Sequence, residues 1–273
     1  MLKDITIGQY FPGNSPVHRM DPRMKLIITV VYVVMLFVAR GLPALIVAAI
    51  FLIVVYPVSR ISGRMIFKSL KPILPIILIT VMLNMFFIDG EIVWQWRFLS
   101  ITQEGIAHAT LLGGRIICLI SGSSLLTYTT SPIALTDGIE QLFSPLKRIK
   151  MPVHEVAMMM TIALRFIPTL IEETEKIIDA QKARGADMES GSLIKRVRAM
   201  VPILIPLFVS AFRRAEELAM AMECRCYHGG EGRTRMKVLR LARVDAIGAV
   251  FAAGYIGAVI MANMMISVFS IVL

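Results

Sequence analysis

LIITVVYVVMLFVARGLPALIVAAIFLIVVYPV, residues 26–58, carries one charged residue, Arg40. A membrane-spanning helix needs roughly 20 predominantly apolar residues, with about 17 as a lower limit. The stretch holds two such blocks, Leu26 to Ala39 and Leu42 to Val58, parted only by Arg40-Gly41. The first is short and borrows Met24 and the Lys25 stem, whose ammonium snorkels toward water. Both blocks should be helical, because hydrocarbon offers backbone amides no other partner. Together they read as a tight helical hairpin.

Three more blocks follow: Ile73 to Ile88, Leu111 to Tyr128 and Ala246 to Leu273. Basic residues orient them, since cytoplasmic loops carry the excess of Lys and Arg. Lys3, Arg19, Arg23 and Lys25 precede the first span, and Arg60, Arg64, Lys68 and Lys71 join the second to the third. Both segments belong in the cytoplasm. Between Asp89 and Ala109, Arg97 stands against Asp89, Glu91 and Glu104, and Trp94 and Trp96 supply an interfacial anchor. That segment is an outer loop. Residues 131–243 return to the cytoplasm with 18 basic against 13 acidic residues, and the C-terminus ends outside.

The whole composition agrees. Of 273 residues, 56% are hydrophobic and 18% charged, with a mean hydropathy of +0.72. A soluble domain is nearer a quarter charged, so an ordinary cytosolic enzyme is excluded. The net charge of +10 could suit nucleic acid or an anionic membrane surface. With this hydropathy the lipid bilayer is the partner and nucleic acid is not. Cys118, Cys224 and Cys226 are too few for a disulfide framework. No secretory signal is visible, because Arg19, Asp21, Arg23 and Lys25 precede the first apolar block.

Residues 131–243 contain three helical stretches. The first opens at Ser131-Pro132, an N-cap followed by Pro at the first helical position, and stops by Phe143. After the basic turn Lys147–Lys150, the second runs from Val153 to Arg184. Val156, Met160, Ala163, Ile167, Leu170 and Ile178 form one face, with Glu172, Glu173, Lys176, Asp179 and Lys182 opposite. Pro168 should bend it. It ends in Ala183-Arg184-Gly185, where glycine fits the left-handed position beyond a helix end and the dipole favours a cation. The third runs from Leu193 to Tyr227, is interrupted by Pro202 and Pro206, and ends around Cys224-Arg225-Cys226. An arginine fork on a rigid helix suits a carboxylate-bearing groove on a partner, whereas a single such end signifies only a capped helix. Ala39-Arg40-Gly41 repeats the triplet, but topology puts it outside.

Enzyme motifs are mostly absent. His154-Glu155 begins a zinc-protease signature, but residue 158 is Met. Cys224, Cys226 and His228 crowd three potential ligands into five residues with no second half-site, so reduced thiols are the better reading. No phosphate-binding Gly-x-x-x-x-Gly-Lys-Ser/Thr loop occurs. Arg115 either lines a pathway or snorkels to the interface. On the fourth span Gly114, Cys118 and Gly122 step by four. Such a face lets a helix approach closely, either from another subunit or from this chain's own spans.

Over nearly its whole length the chain resembles the transmembrane T component (EcfT) of energy-coupling factor transporters, which take up vitamins or transition-metal ions. The likeness rests on Tyr10-Phe11-Pro12-Gly13-Asn14-Ser15-Pro16-Val17-His18-Arg19-Met20-Asp21-Pro22-Arg23 and Thr130-Ser131-Pro132. It continues through Ala163-Leu164-Arg165-Phe166-Ile167-Pro168, Gln181–Gly185, Ser210–Ala219 and Cys224-Arg225-Cys226. The resemblance implies an all-α polytopic membrane protein with about five transmembrane helices. Residues 1–130 would be a four-span membrane domain, 131–243 a cytoplasmic coupling domain of three helices, two of them long and amphipathic, and 244–273 a final span. It implies a plasma-membrane, non-catalytic subunit that binds no cofactor. ATP and Mg would sit on two partner ATP-binding subunits, EcfA- and EcfA'-like. Arg184 and Arg225, flanked by Ala183, Gly185, Cys224 and Cys226, would dock them, the cysteines standing where Ala and Gly are usual. A membrane S component would bind the substrate, with Gly114, Cys118 and Gly122 as its candidate contact. The alternative, a stand-alone secondary transporter, needs mid-span ionisable residues and matching halves, and the five spans show neither. An intramembrane metalloprotease around His154 lacks its second ligand.

Overall fold

The computed structural model describes residues 10–96, 99–186, 192–230 and 238–272, apart from the side chains of 92–96, 99, 100, 193, 195, 196 and 267–272. Their helices are α1 (Pro16–Arg19), α2 (Pro22–Val38), α3 (Leu42–Ser59), α4 (Gly63–Leu70), α5 (Leu74–Phe87), α6 (Gln103–Thr129), α7 (Pro132–Leu142), α8 (Val153–Ala183), α9 (Leu193–Cys224) and α10 (Arg243–Val272). A 3-10 turn, Ser144–Ile149, takes the place of the expected basic loop. The fold is all-α save for one hairpin, β1 (Ile92–Trp96) with β2 (Leu99–Thr102), in a segment read as a plain loop. Two compact units emerge, one within Gly8–Gly138 and Leu239–Leu273, the other within Ile139–Val238.

By length and composition α3, α6, α8 and α10 can cross a membrane, and α4 with α5 makes a fifth, broken by a 64° bend. α2, with 17 residues, stands at the lower limit for a span. α8 joins this set although the sequence reading puts it outside the membrane. Its first half is apolar, while its second carries Glu172, Glu173, Glu175, Lys176, Asp179 and Lys182. α8 and α9 each remain one helix through Pro168, Pro202 and Pro206. Each proline therefore removes one backbone bond without breaking its helix.

In the first unit α2, α3, α6 and α10 enclose an aromatic stack. Tyr32 lies 5.3 Å from Phe51 and 5.4 Å from Tyr255, and Phe51 lies 5.1 Å from Phe251. Such pairs add about 0.5–1.5 kcal/mol each beyond area burial. The Tyr56 hydroxyl donates to the Ser121 carbonyl at 2.7 Å, joining α3 to α6. Outside the core, Val30, Val34 and Phe37 of α2 form an exposed row at helical spacing, as do Ile46, Ile50 and Ile53 of α3. Rows this apolar suit lipid rather than water.

The N-terminal segment is stitched to this bundle. Phe11 N–H donates to the Tyr128 carbonyl at 3.0 Å, and buried Lys25 donates to the carbonyls of Thr129 (2.9 Å) and His18 (3.2 Å). Asp21 caps α2 and pairs with Arg23 at 2.8 Å, while its N–H donates to Asp245 Oδ1 at 2.7 Å. The His18 ring bonds Ser15 Oγ at 2.7 Å and the Phe11 carbonyl at 3.0 Å.

α6 starts eight residues before the expected Leu111, because Gln103, Glu104, His108 and Thr110 make its first two turns too polar for a hydropathy window. Thr102 caps it, accepting from Gly105 N–H at 3.0 Å. α4 comes from a segment read only as a basic loop.

Candidate functional site

α8 and α9 pack against each other within the second unit. Glu173 of α8 accepts from Ser210 and, at 2.7 Å, from Arg214 Nη2 of α9. Gln181 Nε2 donates to the Pro202 carbonyl at 3.4 Å. Gly230, just past α9, lies so close to the His154 ring that a Cβ there would clash. The α9 partner falls in number as the α8 residue rises, so the two helices run antiparallel. Glu173 is thus an interhelical tie rather than the solvated charge that its place opposite the apolar face suggests. The spacing of Ser210 and Arg214, one turn apart on a single face, was the signal available for it.

Antiparallel pairing separates the two arginine tips. Arg184 caps α8 at one end of the pair and Arg225 caps α9 at the other. At 1.5 Å per residue this register puts them roughly 35–40 Å apart along the pair.

The two ends close by one hydrogen-bond pattern. After α8, Gly185 N–H donates to Lys182 at 3.0 Å and Ala186 N–H to Gln181 at 3.0 Å. After α9, Cys226 N–H donates to Glu223 at 2.8 Å and Tyr227 N–H to Met222 at 3.1 Å. Each is a 5→2 bond nested in a 6→1 bond, the Schellman closure that satisfies the last carbonyls. Gly185 has φ +83° and Cys226 φ +55°. α9 therefore ends at Cys224, three residues short of the expected Tyr227, because Cys226 accepts the left-handed conformation despite its Cβ.

Ala183, Arg184, Gly185, Cys224, Arg225 and Cys226 are all exposed. Among the described residues neither arginine side chain has a hydrogen-bond or ion-pair partner. Each guanidinium presents planar donors at a helix C-terminus, where the dipole stabilises the cation. The cysteines are free thiols. Among the described residues no group of three or more His, Cys, Asp or Glu is arranged to hold a metal ion. His228 Nδ1 instead bonds the Cys226 carbonyl at 2.8 Å, and His154 Nδ1 bonds Glu140 at 2.9 Å.

The small-residue face of α6 packs against the chain's own helices. A Cβ on Gly114 would stand 2.7 Å from Leu45 Cδ2, and one on Gly122 would stand 2.5 Å from Tyr32 Cε1. Cys118 is buried, and its carbonyl accepts the Tyr32 hydroxyl at 3.4 Å. α2 and α3 supply these neighbours. Arg115 Nη2 donates to the Ala39 carbonyl at 2.7 Å, closing the end of α2.

An exposed apolar face on α9 escaped the sequence reading. Ile194, Val197, Val201, Ile205, Phe208 and Phe212 step by three and four, and Phe212 is 73% exposed. Their spacing was visible, but nothing in it says whether such a face is covered.

A family model described as "Cobalt transport protein" matches residues 13–236. The chain is 55% identical to the "Energy-coupling factor transporter transmembrane protein EcfT" of Ruminiclostridium cellulolyticum, over 90% of this chain and 92% of that one. It is 53% identical to the protein of the same name from Clostridium kluyveri, over 92% and 94%. The corresponding protein of Bacillus subtilis is 48% identical, over 88% and 91%.

Proposed function

This chain belongs to the energy-coupling factor transporter transmembrane (EcfT) family, and from that premise we propose that it is the non-catalytic coupling subunit of an ATP-driven importer. It passes movement of two ATP-binding subunits to a substrate-binding S component that takes up a vitamin or a transition-metal ion. N-terminus and coupling helices lie in the cytoplasm, and the C-terminus lies outside. ATP and Mg belong to the partners. Arg184 and Arg225, with Ala183, Gly185, Cys224 and Cys226 beside them, dock one ATP-binding subunit each.

The observation that carries this reading is the pair of matched helix ends. Two exposed guanidinium groups, without a partner among the described residues, stand at opposite ends of one antiparallel helix pair, each held by the same backbone closure. Two separate sockets can be engaged at once, and a shift between them is transmitted through a rod tied internally by Glu173, Ser210 and Arg214. The exposed apolar face of α9 supports a membrane-embedded partner along the same rod.

Arg184→Glu with Arg225→Glu tests it. Leaving one partner of a buried charged contact unpaired costs roughly 2–5 kcal/mol. Each single change should weaken co-purification of the ATP-binding subunits, and the double should abolish it together with uptake, while the chain still inserts. Normal uptake by the double variant would refute docking through these residues.

A further inference from the structure

None of the proposed docking residues lies on α4, yet its surface is strongly organised. It is a helix of eight residues, GRMIFKSL, between α3 and α5, and meets α5 at 64°. α3 ends just before it in Arg60, held at φ +57°.

At 100° per residue three faces separate. Met65, Ile66 and Ser69 are partly buried. Ile66 packs on the core, the Tyr128 hydroxyl donates to the Met65 carbonyl at 3.3 Å, and the Ser69 hydroxyl bonds back to the Ile66 carbonyl at 2.9 Å. Roughly opposite lie Arg64, Lys68 and Lys71, spaced by four and three, all exposed, with exposed Arg60 beside them. Phe67, 76% exposed, flanks the cations, and exposed Leu74 opens α5 beyond the bend.

Charge decides the occupant. From Asp21 to Asp89 the chain contains no carboxylate. Among the described residues none of Arg60, Arg64, Lys68 and Lys71 has an ion-pair partner. α4 follows the spanning helix α3 after three residues, as the polar limb of the bent pair, and so lies at the membrane-surface end of α3. A cation row beside an apolar side chain is the pattern of an interfacial helix on anionic lipid. We propose that α4 is an anionic-phospholipid contact: Phe67 and Leu74 enter the acyl boundary, while Arg60, Arg64, Lys68 and Lys71 hold headgroup phosphates. Binding here ties the α3–α4–α5 turn to the bilayer and gives the bent pair a fixed depth. This inference does not depend on the docking roles of Arg184 and Arg225.

The full chain is reconstituted in nanodiscs of phosphatidylcholine with graded phosphatidylglycerol, and the lipid retained after detergent exchange is quantified by mass spectrometry. Each basic residue near a charged membrane surface is worth roughly fivefold in affinity. R64Q/K68Q/K71Q should therefore lower phosphatidylglycerol enrichment at least tenfold. The matched change K176Q/K182Q/R213Q on the exposed surface of α8 and α9 should leave it unaltered. Unchanged enrichment in the α4 triple variant overturns the proposal. In parallel, Phe67→Trp in the otherwise intact chain should be quenched by brominated phosphatidylglycerol and shielded from iodide without any partner subunit. Iodide quenching at the level of a free indole, or shielding only when a partner subunit is added, overturns it as well.

Discussion

Gly185 and Cys226 hold the same left-handed position, one residue beyond Arg184 and Arg225, and close the same pair of hydrogen bonds. One has no Cβ and the other does. The two arginine ends therefore share a backbone geometry but differ in its cost.

That difference is measurable. A Cβ added at Gly185 would have no neighbour within 4 Å among the described residues, so Gly185→Ala should incur mainly the left-handed backbone penalty, about 1 kcal/mol. Cys226→Gly removes a penalty of the same size and should stabilise the α9 end. Limited proteolysis at 184–186 and 225–228 should show faster cleavage in G185A and slower cleavage in C226G, with docking retained in C226G. Loss of docking in C226G would mean that the thiol itself makes a contact.

The Glu173 tie should behave as one interaction with two donors. Glu173→Gln keeps the shape and removes the charge, and Arg214→Gln removes the other half. A double-mutant cycle on thermal unfolding in detergent should give a coupling of about 1 kcal/mol or less, since Arg214 and Glu173 side chains retain 36% and 23% of their exposure. Uptake should fall more than stability does, because a looser helix pair transmits less motion. A cycle with no coupling would remove the tie from the mechanism.

Much of this was legible from residues alone. The span Leu42–Val58 reappears as α3, ending one residue later, and the tip at Gly185 falls where its glycine places it. Three features were hidden for physical reasons. The end of α9 depends on a Cβ-bearing residue adopting φ +55°, a conformation composition disfavours. The start of α6 depends on the cap Thr102 and on polar turns that a bilayer-sized window averages away. Which surface covers Gly114 and Gly122 is a property of tertiary packing, and small residues at a spacing of four fit either answer.

That packing yields its own test. Gly122→Leu must displace Tyr32 from the aromatic stack, and overpacking of this kind costs about 1–3 kcal/mol or more. The variant should lose its monodisperse peak in detergent gel filtration and unfold several degrees earlier. A Gly122→Leu chain that folds normally yet loses a partner subunit would assign this face to intersubunit contact.

The N-terminal stitching should weaken in acid. Burial is the main influence lowering His18 below its ordinary 6.5; the Phe11 carbonyl opposes it, and the charge of Lys25 adds to it. For Asp21 burial pushes upward, but the hydrogen bonds and charge of Arg23, with Lys25, leave it below its ordinary 3.8. Both folded-state values are depressed, so both groups contribute stability that is complete above their unfolded values and lost as pH falls. His18 acts first, below about pH 6.5, and Asp21 only below about pH 4. Protection of residues 10–20 against hydrogen exchange, taken relative to the intrinsic rate at each pH, should fall between pH 7.5 and 5.5, and His18→Asn should flatten that step. Equal protection at both pH values in the parent chain would contradict the stitching.

The most direct measurement is site-specific photo-crosslinking in the assembled transporter. A benzophenone amino acid is placed at 183 and, separately, at 224, beside each exposed arginine. Docking predicts adducts to an ATP-binding subunit from both positions, each abolished when the neighbouring arginine is changed to Glu. Adducts from either position only to lipid, to the S component or to the chain itself would contradict it.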